Sequence, residues 1–195
     1  MRKSRSLVAG LILLSGVLSG CGSQQGWHLK VVTHLLPPLA FHMQEAGAGE
    51  VTAADFKGKV TLLYFGYTHC PDVCPTTLAK LHAVIQQLGA SADDVRVLFV
   101  TADPQRDTPA ILQRYVEAFG PDIIGLRGSE DELKAIARRY RVGYTRQSVD
   151  AHGNYLVAHG AGIFVFDRDG NARLMGDEST SVADFVDDLQ RLLKN

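Results

Sequence analysis

The sequence predicts an α/β domain with a central sheet and helices on its faces. Residues 60–65 and 95–100 are continuous apolar, β-branched runs bounded by turn signals, the pattern of strands buried on both faces. Segments with apolar residues at helical spacing alternate with these strands in chain order. A third observation comes late in the chain, where Asp167, Gly170 and Asn171 separate two short apolar runs and mark a hairpin.

The elements follow in order. A short strand at 39–43 comes after Pro37 and Pro38, and Gly58 and Lys59 lead into the 60–65 strand. That strand delivers the chain to Cys70. Leu78, Leu81, Ile85 and Leu88 give a helix over 76–88 that stops at Gly89. After the 95–100 strand, Thr108 and Pro109 read as N-cap and first residue of a helix with Leu112, Tyr115, Val116 and Phe119 on its face. Ser129 with Glu132 forms a capping box for a helix carrying Leu133, Ile136 and Tyr140. Strands at 163–166 and 173–175 make the hairpin, and a last helix opens near Ser181 and packs Phe185, Leu189 and Leu192. A cysteine motif between the first core strand and its helix, with a hairpin later, is the thioredoxin-like arrangement: three layers, with a mixed sheet between helices.

The chain has 195 residues, 46% hydrophobic and 21% charged, enough apolar surface for one sizeable core and far from the composition of disorder. A net charge of −1 excludes a strongly basic nucleic-acid binder. Residues 1–20 read as a signal peptide, since Arg2, Lys3 and Arg5 precede an apolar run at 7–18 that closes on Ser19 and Gly20. The run is shorter than the roughly 20 residues of a membrane-spanning helix. Leu18, Ser19, Gly20 and Cys21 resemble the lipobox of bacterial lipoproteins, which implies lipidation at Cys21 and an exported, lipid-anchored protein on the periplasmic or extracytoplasmic face. Residues 21–36, polar and Gly/Gln-rich at their start, read as a tether, and 37–195 as the folded domain. Removing three basic residues and no acids leaves 17 Lys plus Arg against 21 Asp plus Glu, a net charge of −4.

With Cys21 acylated, Cys70 and Cys74 remain as one pair in a compartment where disulfides form. Residues 70–75, CPDVCP, place two cysteines four apart at a strand-to-helix junction, so both sulfurs share a face. Helix-start N–H groups favour the thiolate, which binds metal or attacks a disulfide. Two soft thiolates suit Cu(I), and an added imidazole also accommodates Cu(II). Zinc asks for four ligands. A purely structural disulfide closing so short a loop would constrain little.

Residues 64–75, YFGYTHCPDVCP, resemble the signature of the Sco/SenC family, thioredoxin-like proteins that deliver copper to the CuA centre of cytochrome c oxidase. Residues 103–109, DPQRDTP, are similar to the family's segment after its next core strand, and the resemblance runs from about Pro37 to the C-terminus. It implies a copper site of Cys70, Cys74 and a distant histidine ahead of a late strand, matched here by His159. It also implies a copper-bearing oxidase subunit, or another exported copper protein, as partner. Many members flank that histidine with Asp and Ser; this chain has Ala158 and Gly160. Asp72 lies between the cysteines, where its charge opposes thiolate formation and where a turn residue is also expected. Asp103, Arg106 and Asp107 read either as support for the site or as capping of the next helix.

The other histidines are sorted by position. His28, His34, His42 and His82 read as structural or solvated, His152 sits in a turn, and His69 either tunes the thiolates or binds. Met43 and Met175 are single thioethers, better suited to core than to copper. The alternative function is a thiol-disulfide oxidoreductase that reduces partner cysteines before metal loading, with Cys70 and Cys74 as a redox-active pair. All seven prolines precede residue 122, so the proline that thioredoxin-type oxidoreductases place before a late strand is missing. Copper-bound and disulfide forms compete for the same sulfurs, so a redox role beside copper binding stays open.

Overall fold

The structure, a computed structural model, describes residues 26–151 and 153–194. Its centre is β4 (Val60–Gly66), whose seven residues are all buried, as an uninterrupted apolar run requires. It pairs in parallel with β5 (Val95–Thr101) on one side and antiparallel with β9 (Ile163–Phe166) on the other. Outside β5 lies β6 (Ile123–Arg127), then β2 (His42–Glu45) and β3 (Gly49–Thr52); outside β9 lie β10 (Ala172–Gly176) and β1 (Lys30–Val31). The resulting order, β1-β10-β9-β4-β5-β6-β2-β3, is a mixed sheet of eight strands among the described residues. A separate two-stranded sheet joins β7 (Tyr144–Arg146) to β8 (Val157–His159).

The two-residue alternation of β4 divides the core. Leu62 and Tyr64 face α1 (Val73–Leu88), α2 (Pro109–Glu117) and α4 (Val182–Leu193). Leu63 and Phe65 face the opposite layer, where α3 (Glu130–Arg139) contributes Leu133, Ile136 and Ala137. The three-layer α/β reading is therefore correct. Its caps form as the residue types require: Thr108 Oγ1 accepts from Ile111 N–H, with Pro109 opening α2. Ser129 and Glu132 cap α3 reciprocally, with the Ser129 N–H donating to Glu132 Oε2 at 2.7 Å.

Four differences from the sequence reading have physical causes. Residues 26–36, read as part of a tether, pack instead: Leu29 and Val32 are buried, Leu29 N–H donates to the buried Asp188 carboxylate at 2.8 Å, and β1 pairs with β10. The two buried positions, Leu29 and Val32, are too few for a periodic pattern to stand out in the sequence. The first strand of the domain proper falls at His42–Glu45, not 39–43, and pairs with β3, an unpredicted strand opened by Gly49. β6, to which the sequence reading assigned no element, begins two residues after Pro121 and is a strand because it pairs in parallel with β5. Finally, α1 begins at Val73, three residues before the expected start at residue 76, which puts Cys74 inside the first helical turn.

Candidate metal centre

β4 ends at Gly66, and Tyr67, Thr68 and His69 lead from it to Cys70 at the mouth of α1. Gly66 has a steric duty. A Cβ there would stand 2.4 Å from Phe99 Cε2 and 3.0 Å from Cys74 Sγ, so the chain can pass this close to the sulfur only without a side chain. Both cysteines are free thiols, Cys70 half-buried and Cys74 fully buried. The Cys74 backbone N–H points to Cys70 Sγ at 3.5 Å, which ties the loop cysteine to the first turn of α1.

From 85 residues further along the chain, the end of β8 brings His159 Nε2 to 3.3 Å from Cys74 Sγ. The donor atoms of Cys70, Cys74 and His159 all lie within 4.8 Å of one another, a group able to hold one metal ion. Two sulfurs and one imidazole make a soft, three-donor set of the kind that suits copper and is one ligand short for structural zinc. His159 Nδ1 donates to the Gly160 carbonyl at 3.2 Å, which leaves Nε2 as the acceptor facing the sulfur. A backbone carbonyl thus gives the ring the orientation that a flanking carboxylate would otherwise supply. Tyr64 and Tyr67 stand edge-on to the imidazole, with centroids at 6.1 and 6.0 Å.

Burial sets the protonation of the pair. Removal from water pushes the Cys74 thiol up to about 12, helped by the neighbouring Cys70. Desolvation pushes the His159 imidazole down from its ordinary value. A helix N-terminus is worth about 2 kcal/mol at most, so the expected thiolate stabilisation by the start of α1 is outweighed at Cys74. The S–H therefore donates to a neutral imidazole, and a metal ion replaces that proton when it binds.

The predicted supporting residues divide. Asp107 is fully buried; its carboxylate accepts from Thr68 N–H at 3.0 Å, Thr68 Oγ1 at 2.6 Å and Thr101 Oγ1 at 2.5 Å. It pins the loop that presents Cys70, while Thr108 does the capping. Asp103 accepts from Arg106 Nε at 2.5 Å. Asp72 is exposed at the N-cap of α1; its carbonyl receives Thr76 Oγ1 at 2.9 Å, and its side chain makes no capping bond. His69, exposed, bonds to Thr68 Oγ1 at 3.0 Å and stands outside the Cys-Cys-His group. His28 pairs with Asp184 and Asp187, and His42 with Glu50 and Glu132, as structural or solvated residues do. Met43 is buried in the core. Cys21 and His152 lie outside the described residues.

Sequence reasoning assigned no role to Thr68, Thr101, Tyr64, Tyr67 or the Gly160 carbonyl. Of these, Tyr64, Tyr67 and Thr68 lie inside the 64–75 motif, which carried the only signal.

Comparison with known proteins gives one family. The SCO1/SenC family model matches residues 39–194. The chain is 45% identical over 119 residues to the mitochondrial protein SCO2 homolog of Bos taurus, covering 60% of this chain and 45% of that one. The chain spans about half the length of the curated relatives it matches. Among solved structures it is similar to Bradyrhizobium japonicum ScoI with copper bound, at TM-score 0.74 and 36% identity, over 80% of this chain and 99% of that one. It is also similar to apo Sco1 of Thermus thermophilus, at TM-score 0.77 and 36% identity, over 88% of this chain and 100% of that one.

Proposed function

The chain belongs to the SCO1/SenC family, and we propose that it is a copper metallochaperone: it binds copper through Cys70, Cys74 and His159 and passes it to the CuA site of cytochrome c oxidase. The observation that carries this reading is the convergence of three donors within 4.8 Å, one from the loop before α1, one from the first turn of α1 and one from a distant strand. Copper-bound relatives in the same family support copper as the cargo. The half-buried Cys70 and His159 rim a site whose deepest donor is Cys74, so a partner's ligands approach from the Cys70 side.

Copper is held in a place that shields the Cys74 sulfur from attack. Attack on a partner's disulfide would fall to the half-buried Cys70, while the fully buried Cys74, its thiol pushed up to about 12, becomes a resident ligand once metal displaces its proton. The imidazole 3.3 Å from that sulfur, which copper binding uses and thiol-disulfide exchange does not, favours binding as the main task. We place the chain at the outer face of a membrane, anchored through Cys21, on the strength of the charged start, short apolar run and Leu-Ser-Gly-Cys tetrad. Mass spectrometry of the mature N-terminus tests the anchor, and unmodified Cys21 or cleavage elsewhere rejects it.

His159→Ala separates the two functions, because both need the cysteines and only copper delivery needs the imidazole. Under copper limitation this variant should lower oxidase CuA content while the Cys70–Cys74 disulfide still forms and reduces normally. Full oxidase assembly by His159→Ala, with assembly abolished when both cysteines are lost, would put the thiol enzyme first.

A further inference from the structure

His159 belongs to a sheet that shares no strand with the main one. Among the described residues the β7–β8 ladder includes no strand of the central sheet, so no ladder of that sheet sets the distance from His159 to Cys74. Something else must hold the hairpin, and the structure offers Tyr155, four residues before His159. Tyr155 is buried although its neighbours Asn154 and Leu156 are exposed. Its hydroxyl donates to Asp103 Oδ1 at 2.8 Å. The other oxygen of the same carboxylate receives Arg106 Nε at 2.5 Å, and the Arg106 guanidinium lies 3.5 Å from the centroid of the Tyr155 ring. The Arg146 guanidinium, from β7, lies 3.8 Å from that centroid, and two planar cations this close must occupy opposite faces.

Tyr155, Asp103 and Arg106 therefore form a closed ring of contacts between the hairpin and the loop after β5. The ring reaches His159 by two routes. Along the strand, Tyr155, Val157 and His159 alternate on one side. Across the site, Arg106 lies 5.8 Å over Tyr67, the ring that stands edge-on to the imidazole at 6.0 Å.

We infer that Tyr155 is a positioning residue for the third copper donor: its bond to Asp103 and its stack between Arg106 and Arg146 hold the hairpin where His159 Nε2 meets Cys74. The inference rests on the copper reading for its consequence and on the apo protein for its geometry. It also assigns Asp103 and Arg106 a task distinct from capping α2, and distinct from that of Asp107, which holds the loop bearing Cys70.

Tyr155→Phe is the test, because it keeps the ring and both stacks and removes one hydroxyl. Hydrogen exchange on the metal-free protein should show faster exchange at residues 157–160 with β4 and β5 unchanged. Copper-loaded protein should keep its stoichiometry, lose about tenfold in Cu(I) affinity, and show Cu(II) absorption and electron paramagnetic resonance displaced toward those of His159→Ala. A merely structural tyrosine would lower the melting temperature and leave the Cu(II) spectrum in place, and that result overturns the inference, as does wild-type exchange at 157–160. Should Tyr155→Phe fold poorly, Arg106→Lys keeps the charge beside Asp103, loses the planar stack, and is read by the same measurements. If the wild-type chain takes up no copper, the copper reading fails, while the exchange measurement still decides whether Tyr155 sets the hairpin.

Discussion

Gly66→Ala puts one methyl group where the structure has no room. The new Cβ would lie 2.4 Å from Phe99 Cε2, 2.9 Å from Phe99 Cζ and 3.0 Å from Cys74 Sγ. Carbon atoms pack best at about 3.5–4.0 Å, so the Phe99 ring is roughly 1 Å too close. It has little freedom to retreat: Phe99 is fully buried, with Tyr64 at 6.0 Å and Tyr115 at 5.6 Å between ring centroids. Overpacking of this kind costs about 1–3 kcal/mol. For a chain of this size that corresponds to a fall of roughly 2–12 °C in Tm. The sulfur contact adds a functional consequence, because relief of the clash moves Cys74 Sγ away from its place beside Cys70 and His159. Thermal unfolding of the metal-free variant followed by circular dichroism measures the first effect, and a Cu(I) competition titration measures the second. A Tm within about 1 °C of wild type, together with unchanged Cu(I) affinity, would refute the claim that the backbone passes here only as glycine.

Two further substitutions and labels probe the supports. Asp107→Ala leaves Thr68 N–H, Thr68 Oγ1 and Thr101 Oγ1 without their acceptor, and at about 1–3 kcal/mol for each unsatisfied buried group the loss in a urea titration should exceed ~3 kcal/mol. Asp107→Asn, which keeps one acceptor oxygen, should cost less, and a loss under ~1 kcal/mol for the alanine variant would show that water replaces the carboxylate. Alkylation of the reduced native protein should label Cys70 and spare Cys74 until unfolding, because of these two only Cys70 has exposed surface; equal rates by peptide mass spectrometry would contradict the burial.

The cysteine pair and its place at a strand-to-helix junction were legible because they are local: one continuous apolar run, one CxxxC and one periodic face lie within thirty residues. The helices were legible for the same reason. Thr108 with Pro109 and Ser129 with Glu132 cap within four residues of themselves, and the structure forms both caps. The edge elements were not. β1 has two residues and β7 three, too few for an alternation to register, and each becomes a strand only because a partner from elsewhere supplies the ladder: β10 for β1, β8 for β7.

By itself the sequence determined the layers of the core, the caps of α2 and α3 and the nearness of Cys70 to Cys74, since short-range sterics and hydrophobic periodicity suffice for them. His159 could be named only through the family's pattern, because nothing within ten residues of it differs from an ordinary strand end. The tertiary structure decided what those residues are to one another. It closed a gap of 85 residues to put Nε2 at 3.3 Å from Cys74 Sγ. It buried that sulfur deeply enough for desolvation to outweigh the helix start. It turned a glycine carbonyl toward the imidazole, and hung the histidine's hairpin on Tyr155. Burial and the orientation of a ring depend on everything packed around them, so they exist only once distant segments have met.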